Sequence, residues 1–200
     1  RRRGCPNYLD PGGLGGGRQA KWGRLLVQGK RLPAAVQRSG VDRLRCLRAV
    51  QAWLFNRYVA ARIDDGLFDR VLPGELLRTA CQRPPKERGR ELVAAADVEH
   101  AQRRCASGEA VPLGPLFGAG MEAAAEQAAE REAALLRLAD LDPDRVDAAL
   151  RGGRRALRFQ PQRVTVEPDR DDLLIGCELD EEAHASVLLE EVVKPTGHLP

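Results

Sequence analysis

Apolar residues recur at gaps of three and four through Leu44, Leu47, Val50, Leu54 and Tyr58, which sets them on one stripe of a helix over residues 42–65. Arg45, Arg48 and Asn56 are expected to turn away from that stripe, and Gly66 to end the helix. Trp53 and Phe55 widen the apolar face. The helix is therefore expected at the centre of a bundle, with its aromatics in the core rather than stacking on a ligand. An alanine-rich stretch over residues 122–140 predicts a second helix whose small side chains allow close packing. A third is opened by Asp142 as cap with Pro143 in first position, and closed by Gly152 and Gly153. After Arg154 the pattern changes. Arg163-Val-Thr-Val-Glu and Asp172-Leu-Leu-Ile-Gly-Cys-Glu-Leu read as two strands of a hairpin, joined through residues 168–171. Asp180 then caps a last helix over residues 181–193, which Pro195 stops.

Between these elements lie the breaks. Five of the six residues from Gly12 to Gly17 are glycine, which marks a loop with access to backbone angles closed to other residues. No G-K-[ST] ending follows it and no apolar strand precedes it, so a nucleotide-binding P-loop is not supported. The polar, proline-broken run after Cys81 predicts a surface loop, and residues 111–120, with Pro112 and Pro115, a second one. The resulting layout is a basic arm, a helical block of over a hundred residues, and a β-β-α ending. That order suggests a helical domain inserted into another fold, which its flanks complete.

A chain of 200 residues with 43% hydrophobic and 30% charged side chains can form its own core and falls among globular proteins. No run of apolar residues approaches the length of a membrane helix, and no signal-type segment follows the leading arginines, so no membrane association and a cytoplasmic location are expected. The five cysteines, at positions 5, 46, 81, 105 and 177, are scattered and read as reduced thiols. His100 and Cys105 supply only two ligands within reach of one another in sequence, so no metal site is expected. The net charge of +3 hides an asymmetry: residues 1–31 hold eight basic side chains against one acid, Asp10. Such an edge suits RNA or DNA. A second reading also stands, because 28 of the 32 basic residues are arginine, a bias that GC-rich coding produces unaided. The three histidines lie far apart, and the acid pairs Asp64-Asp65 and Glu190-Glu191 read as solvated faces, so no catalytic constellation assembles from spacing alone.

Six segments carry a resemblance instead. Pro6-Asn7-Tyr8-Leu9 is similar to a P-N-Y-F-G element, and Ala52-Trp53-Leu54-Phe55-Asn56 to the centre of an S-A-R-S-x-[LVI]-F-N helix. Asp69 to Glu75 matches the turn after that helix, and Leu113 to Gly118 resembles T-G-P-L-[WF]-G. Arg154-Arg155-Ala156-Leu157-Arg158-Phe159 looks like a return to the first domain, and Glu182 to Glu191 is similar to G-S-F-A-T-x-[VL]-[VL]-R-E. In this order, over nearly the whole chain, they resemble the TruD family of tRNA pseudouridine synthases. The resemblance implies an α+β fold: a partial pseudouridine-synthase catalytic sheet domain interrupted by a mainly helical insertion domain. Residues 1–24 would be the basic arm and part of the catalytic domain, 25–154 the insertion, and 155–200 the β-β-α return, with the two flanks sharing a sheet.

The implied chemistry is isomerisation of a tRNA uridine by an aspartate, without cofactor or metal. The implied partner is tRNA, bound by a monomer. A base taken out of folded RNA needs a pocket wall and a basic rim. Asn7, Tyr8, Leu9, Arg18, Lys21 and His184 are the RNA-contacting residues that the resemblance implies. The family's aspartate belongs to a G-x-K-D-x-x-A motif upstream of P-N-Y-F-G, and that motif is absent from these 200 residues, so no catalytic residue is assigned. Leu9 stands in place of a stacking phenylalanine, Gly12-Gly13 in place of Q-R, His184 in place of another aromatic, and Glu190 in place of an arginine. Losing one aromatic platform removes about 1–3 kcal/mol of base stacking. Two readings follow: the carboxy-terminal part of a divergent synthase, inactive alone, or a non-catalytic RNA-binding module derived from that family.

Overall fold

The computed structural model describes residues 4–9, 16–79, 90–170 and 172–193. Its centre is helix α3, Arg43–Asp64, which follows α1 (Gly16–Val27) and the short α2 (Ala34–Arg38). Asp42 starts α3 by accepting hydrogen bonds from Leu44 N at 2.9 Å and Arg45 N at 3.2 Å, and Gly66, at φ 68°, lies just past its end. Leu54, Phe55, Tyr58 and Val59 of α3 are buried together with Leu135, Leu141, Val146 and Leu157 in the largest core cluster. The expected stripe needs one correction: Leu44 is 53% exposed, because the first turn of α3 extends beyond the neighbours that cover the rest. Helix α1 crosses α3 at Gly23, where a Cβ would come within 2.1 Å of the Cys46 carbonyl oxygen, so only glycine permits this approach.

The middle of the chain is not purely helical. Strands β2 (Leu76–Thr79), β3 (Arg90–Leu92), β4 (Ala110–Leu116) and β5 (Gly153–Ala156) form an antiparallel sheet in the order β3-β2-β4-β5. Residues 111–120, expected as a loop, therefore contain a buried strand. Pro112 and Pro115 suggest a break, but β4 changes partner midway: its first half pairs with β2, and Leu113 onward pairs with β5. Each half thus has one ladder partner, the setting in which a missing N–H is tolerated. Gly114 brings β4 close to α3, since a Cβ there would meet Leu157 Cδ2 at 2.4 Å and Phe55 Cε2 at 3.0 Å. Helix α4 (Val98–Ser107), preceded by a 3-10 turn at Ala95–Asp97, packs on β4.

Two helices are shorter than the sequence pattern suggests. Helix α5 spans Glu126–Leu138 rather than beginning at 122, because Ala125 N donates to Gly74 O at 2.9 Å and the Glu122 carbonyl is held by Arg154. Helix α6 (Pro143–Ala149) starts on the Asp142 cap as expected, but ends where Leu150 turns extended, before the glycine pair. Positions 24 and 154, where the sequence reading divides the chain, fall inside α1 and β5.

The two flanks do share a sheet. Strand β1 (Cys5–Pro6) pairs antiparallel with β6 (Arg158–Phe159), with Cys5 opposite Phe159. The hairpin β7 (Gln162–Asp169) and β8 (Asp172–Glu178) follows as expected, with Pro168 and Asp169 inside β7 rather than in the turn. Helix α7 runs Ala185–Val193, later than expected, because residues 181–182 form a turn closed by Ala183 N on Asp180 O at 2.9 Å. Cys5, Cys46, Cys105 and Cys177 are free thiols, while Cys81, the glycine run at 12–15, Asp10 and Pro195 lie outside the described residues. Among the described residues no three potential ligands cluster as a metal site, and no helix is long and apolar enough to cross a membrane.

Candidate functional site

The segment from Gly153 to Phe159 pairs first with β4 and then with β1, and its three arginines are all buried. Each reaches a different neighbour. Arg154 forms an ion pair with Glu132 of α5 and donates from Nε to the Glu122 carbonyl at 2.8 Å. Arg158 donates to the Cys105 carbonyl at 2.6 Å. Arg155 points to the leading segment. A buried guanidinium that meets several acceptors holds its surroundings in a fixed geometry, because each N–H left without a partner is costly.

Asn7 is 1% exposed, and each of its four polar atoms has a partner. Its N–H donates to Leu157 O at 2.9 Å and its Nδ2 to Ala156 O at 3.0 Å. Arg155 Nε donates to Asn7 O at 3.2 Å and Arg155 Nη2 to Asn7 Oδ1 at 2.9 Å. The same Nη2 donates to the Glu182 carbonyl, just before α7, and the guanidinium lies 5.6 Å from the centroid of the Phe55 ring. Burial pulls the Arg155 guanidinium below its ordinary value; the charge of Glu182 opposes this and that of Arg78 adds to it. Arg78 in turn forms an ion pair with the Glu182 carboxylate at 3.1 Å.

Beyond Asn7, residues Tyr8 and Leu9 are half-buried against the main core cluster. Asn56 does not turn away from the core face as expected: its Oδ1 accepts from Leu9 N and its Nδ2 donates to Leu9 O, both at 2.8 Å. The amide thereby satisfies both backbone groups of Leu9. The Tyr8 phenol is pushed up to about 12, first by burial and then by the charges of Glu191 and Asp64. Burial, and after it Glu191, also raises the Cys5 thiol. Helix α7 therefore lies beside the same leading segment.

The sequence-derived residues separate into three groups. Asn7, Tyr8 and Leu9 are brought together with Arg155, Asn56 and α7. His184 stands half-buried immediately before α7, where its carbonyl accepts from Val187 N at 3.1 Å. Arg18 and Lys21 are exposed on α1, and Gly12-Gly13 lies outside the described residues. Arg155 and Asn56 stand in segments that carry the resemblance but are not among the residues it implies for RNA contact. The signals were a pair of arginines inside a strand and a polar residue on the core helix beside Phe55.

The family model described as tRNA pseudouridine synthase D (TruD) matches residues 42–192. The chain belongs to the TruD family. It is 36% identical to the tRNA pseudouridine synthase D of Anaeromyxobacter dehalogenans (strain 2CP-1 / ATCC BAA-258), over 99% of this chain and 56% of that TruD protein. Against the TruD protein of Vibrio campbellii (strain ATCC BAA-1116) the identity is 28%, over 95% of this chain and 52% of the relative. The chain thus spans about half the length of the curated relatives it matches. A solved TruD structure from Methanosarcina mazei shares the fold with a TM-score of 0.61 at 19% identity, covering 82% of this chain and 39% of that one.

Proposed function

We propose that this chain is the RNA-side half of a tRNA pseudouridine synthase. The reactive aspartate would come from polypeptide outside these 200 residues, and the chain alone would not turn over. The observation that carries the reading is the match to TruD relatives of about twice this length, combined with the absence of a G-x-K-D-x-x-A motif from the sequence. Residues 1–24 and 155–200 belong, in this reading, to the catalytic unit, and 25–154 to the insertion.

Asn7 acts as a positioning residue, since its own polar atoms are occupied within the protein. It fixes the backbone of Tyr8 and Leu9, which form part of the wall against which the target base rests. The Tyr8 hydroxyl, kept neutral at working pH, offers that base a hydrogen-bond donor. The exposed apolar side chains of the hairpin and α7, among them Leu173, Leu174, Leu189 and Val193, face the remainder of the catalytic unit. The test is tritium release from uridine-labelled, unmodified tRNA by the isolated chain. No release is expected; sustained turnover would place the reactive carboxylate among these 200 residues and overturn the reading.

A further inference from the structure

Residues 16–50 carry nine Lys and Arg side chains against one acid, Asp42, whose carboxylate is occupied as the α3 cap. The fold gathers part of this charge around one cavity. Where α1 ends, the chain passes through α2 into α3, and the turns between these helices, with one residue from each helix, line a half-open cavity of about 520 Å³. Lys30, Arg31 and Arg43 line it, beside Leu26, Leu32 and Val41. Lys30, Arg31 and Arg43 are exposed, and among the described residues no carboxylate lines the cavity. A neighbouring cavity of about 610 Å³ shares Lys30 but also contains Asp140 and Asp142, so it carries charges of both signs.

The geometry points to the Lys30–Arg31–Arg43 cavity as a binding site for the phosphodiester backbone of RNA, separate from the Asn7–Arg155 seam. Three cations with no carboxylate of the described residues among the lining form a concave surface suited to an anion. The apolar wall gives a sugar or base a surface from which to displace water. A polyanion fits better than an isolated phosphate, because three cations are spread along one cavity and Arg38, next to the lining residue Gln37, is exposed as well. This inference rests on the reading of tRNA as substrate, and assigns to residues 30–43 a share of the grip on that RNA.

The experiment is a filter-binding titration of unmodified tRNA with the full 200-residue chain at several salt concentrations. Lys30→Gln/Arg31→Gln/Arg43→Gln is compared with Arg103→Gln/Arg151→Gln/Arg170→Gln, which removes the same charge at exposed positions elsewhere. The cavity triple is expected to weaken binding at least tenfold, and to lower the slope of log affinity against log salt by about two to three. The other triple should change affinity by less than threefold. Equal weakening by both triples, or none by the first, overturns the cavity while leaving tRNA as the substrate. A wild-type chain that binds no tRNA at low salt overturns both the cavity and the reading beneath it.

Discussion

Asn7 and Arg155 hold one another through two hydrogen bonds, Nη2 to Oδ1 at 2.9 Å and Nε to the Asn7 carbonyl at 3.2 Å, across 148 positions of sequence. The contact joins the start of the chain to the strand that leaves the central sheet. Because Arg155 also reaches the Glu182 carbonyl and the face of Phe55, one guanidinium relates the leading segment, the sheet, α3 and the approach to α7.

Asn7→Ala removes the acceptor for Arg155 Nη2 and the donor to Ala156 O, leaving both groups short of a partner in a buried setting. A cost of about 2–3 kcal/mol is expected. For a chain of this size that lowers Tm by roughly 5–10 °C. A circular-dichroism melt checks it; an unchanged Tm would mean that water replaces the lost bonds without penalty.

Asn56→Ala removes both bonds to the Leu9 backbone. Their combined worth of about 1–2 kcal/mol predicts that the Leu9 amide exchanges with solvent roughly tenfold faster. Amide protection at other positions along α3 should stay close to wild type. Hydrogen exchange followed residue by residue makes the comparison.

The legibility of this molecule divides along physical lines. Helix α3 was readable because an amphipathic stripe and an aspartate cap act locally, and the β7–β8 hairpin because strand-forming residues flank a short turn. Strand β4 was hidden because proline and glycine dominate its composition, and only the change of pairing partner at Leu113 makes that composition acceptable in a strand. The leading segment was found through its resemblance to a P-N-Y-F-G element, yet its support was not. Arg155 and Asn56 act on residues 148 and 47 positions away, and no local pattern encodes such distances.

Both tyrosines of the chain, Tyr8 and Tyr58, have phenols pushed up to about 12, in each case chiefly by burial. In the unfolded chain they ionise near the ordinary value of about 10. Between those limits the folded state holds the proton that the unfolded state releases, so stability is fully present below about pH 10 and falls as pH rises towards 12. Tyr58, which is 3% exposed, contributes a slope of about 1.4 kcal/mol per pH unit in that window. Near-ultraviolet absorbance should show no phenolate step near pH 10 while the chain remains folded, and Tyr58→Phe should flatten the decline measured by urea denaturation at each pH. A full phenolate step near pH 10 in the folded chain would show that both rings are open to solvent.

The proposed division of labour between these residues and an aspartate outside them is tested most directly by adding the length that the relative has and this chain does not match. The part of the Anaeromyxobacter dehalogenans relative outside the 56% that this chain matches would be joined to the 200 residues and the product incubated with unmodified tRNA. Pseudouridine, read as a carbodiimide-dependent stop in primer extension, is expected from the joined protein and not from the 200-residue chain alone. Pseudouridine formed by the chain alone, at a rate comparable with the joined protein, would contradict that division.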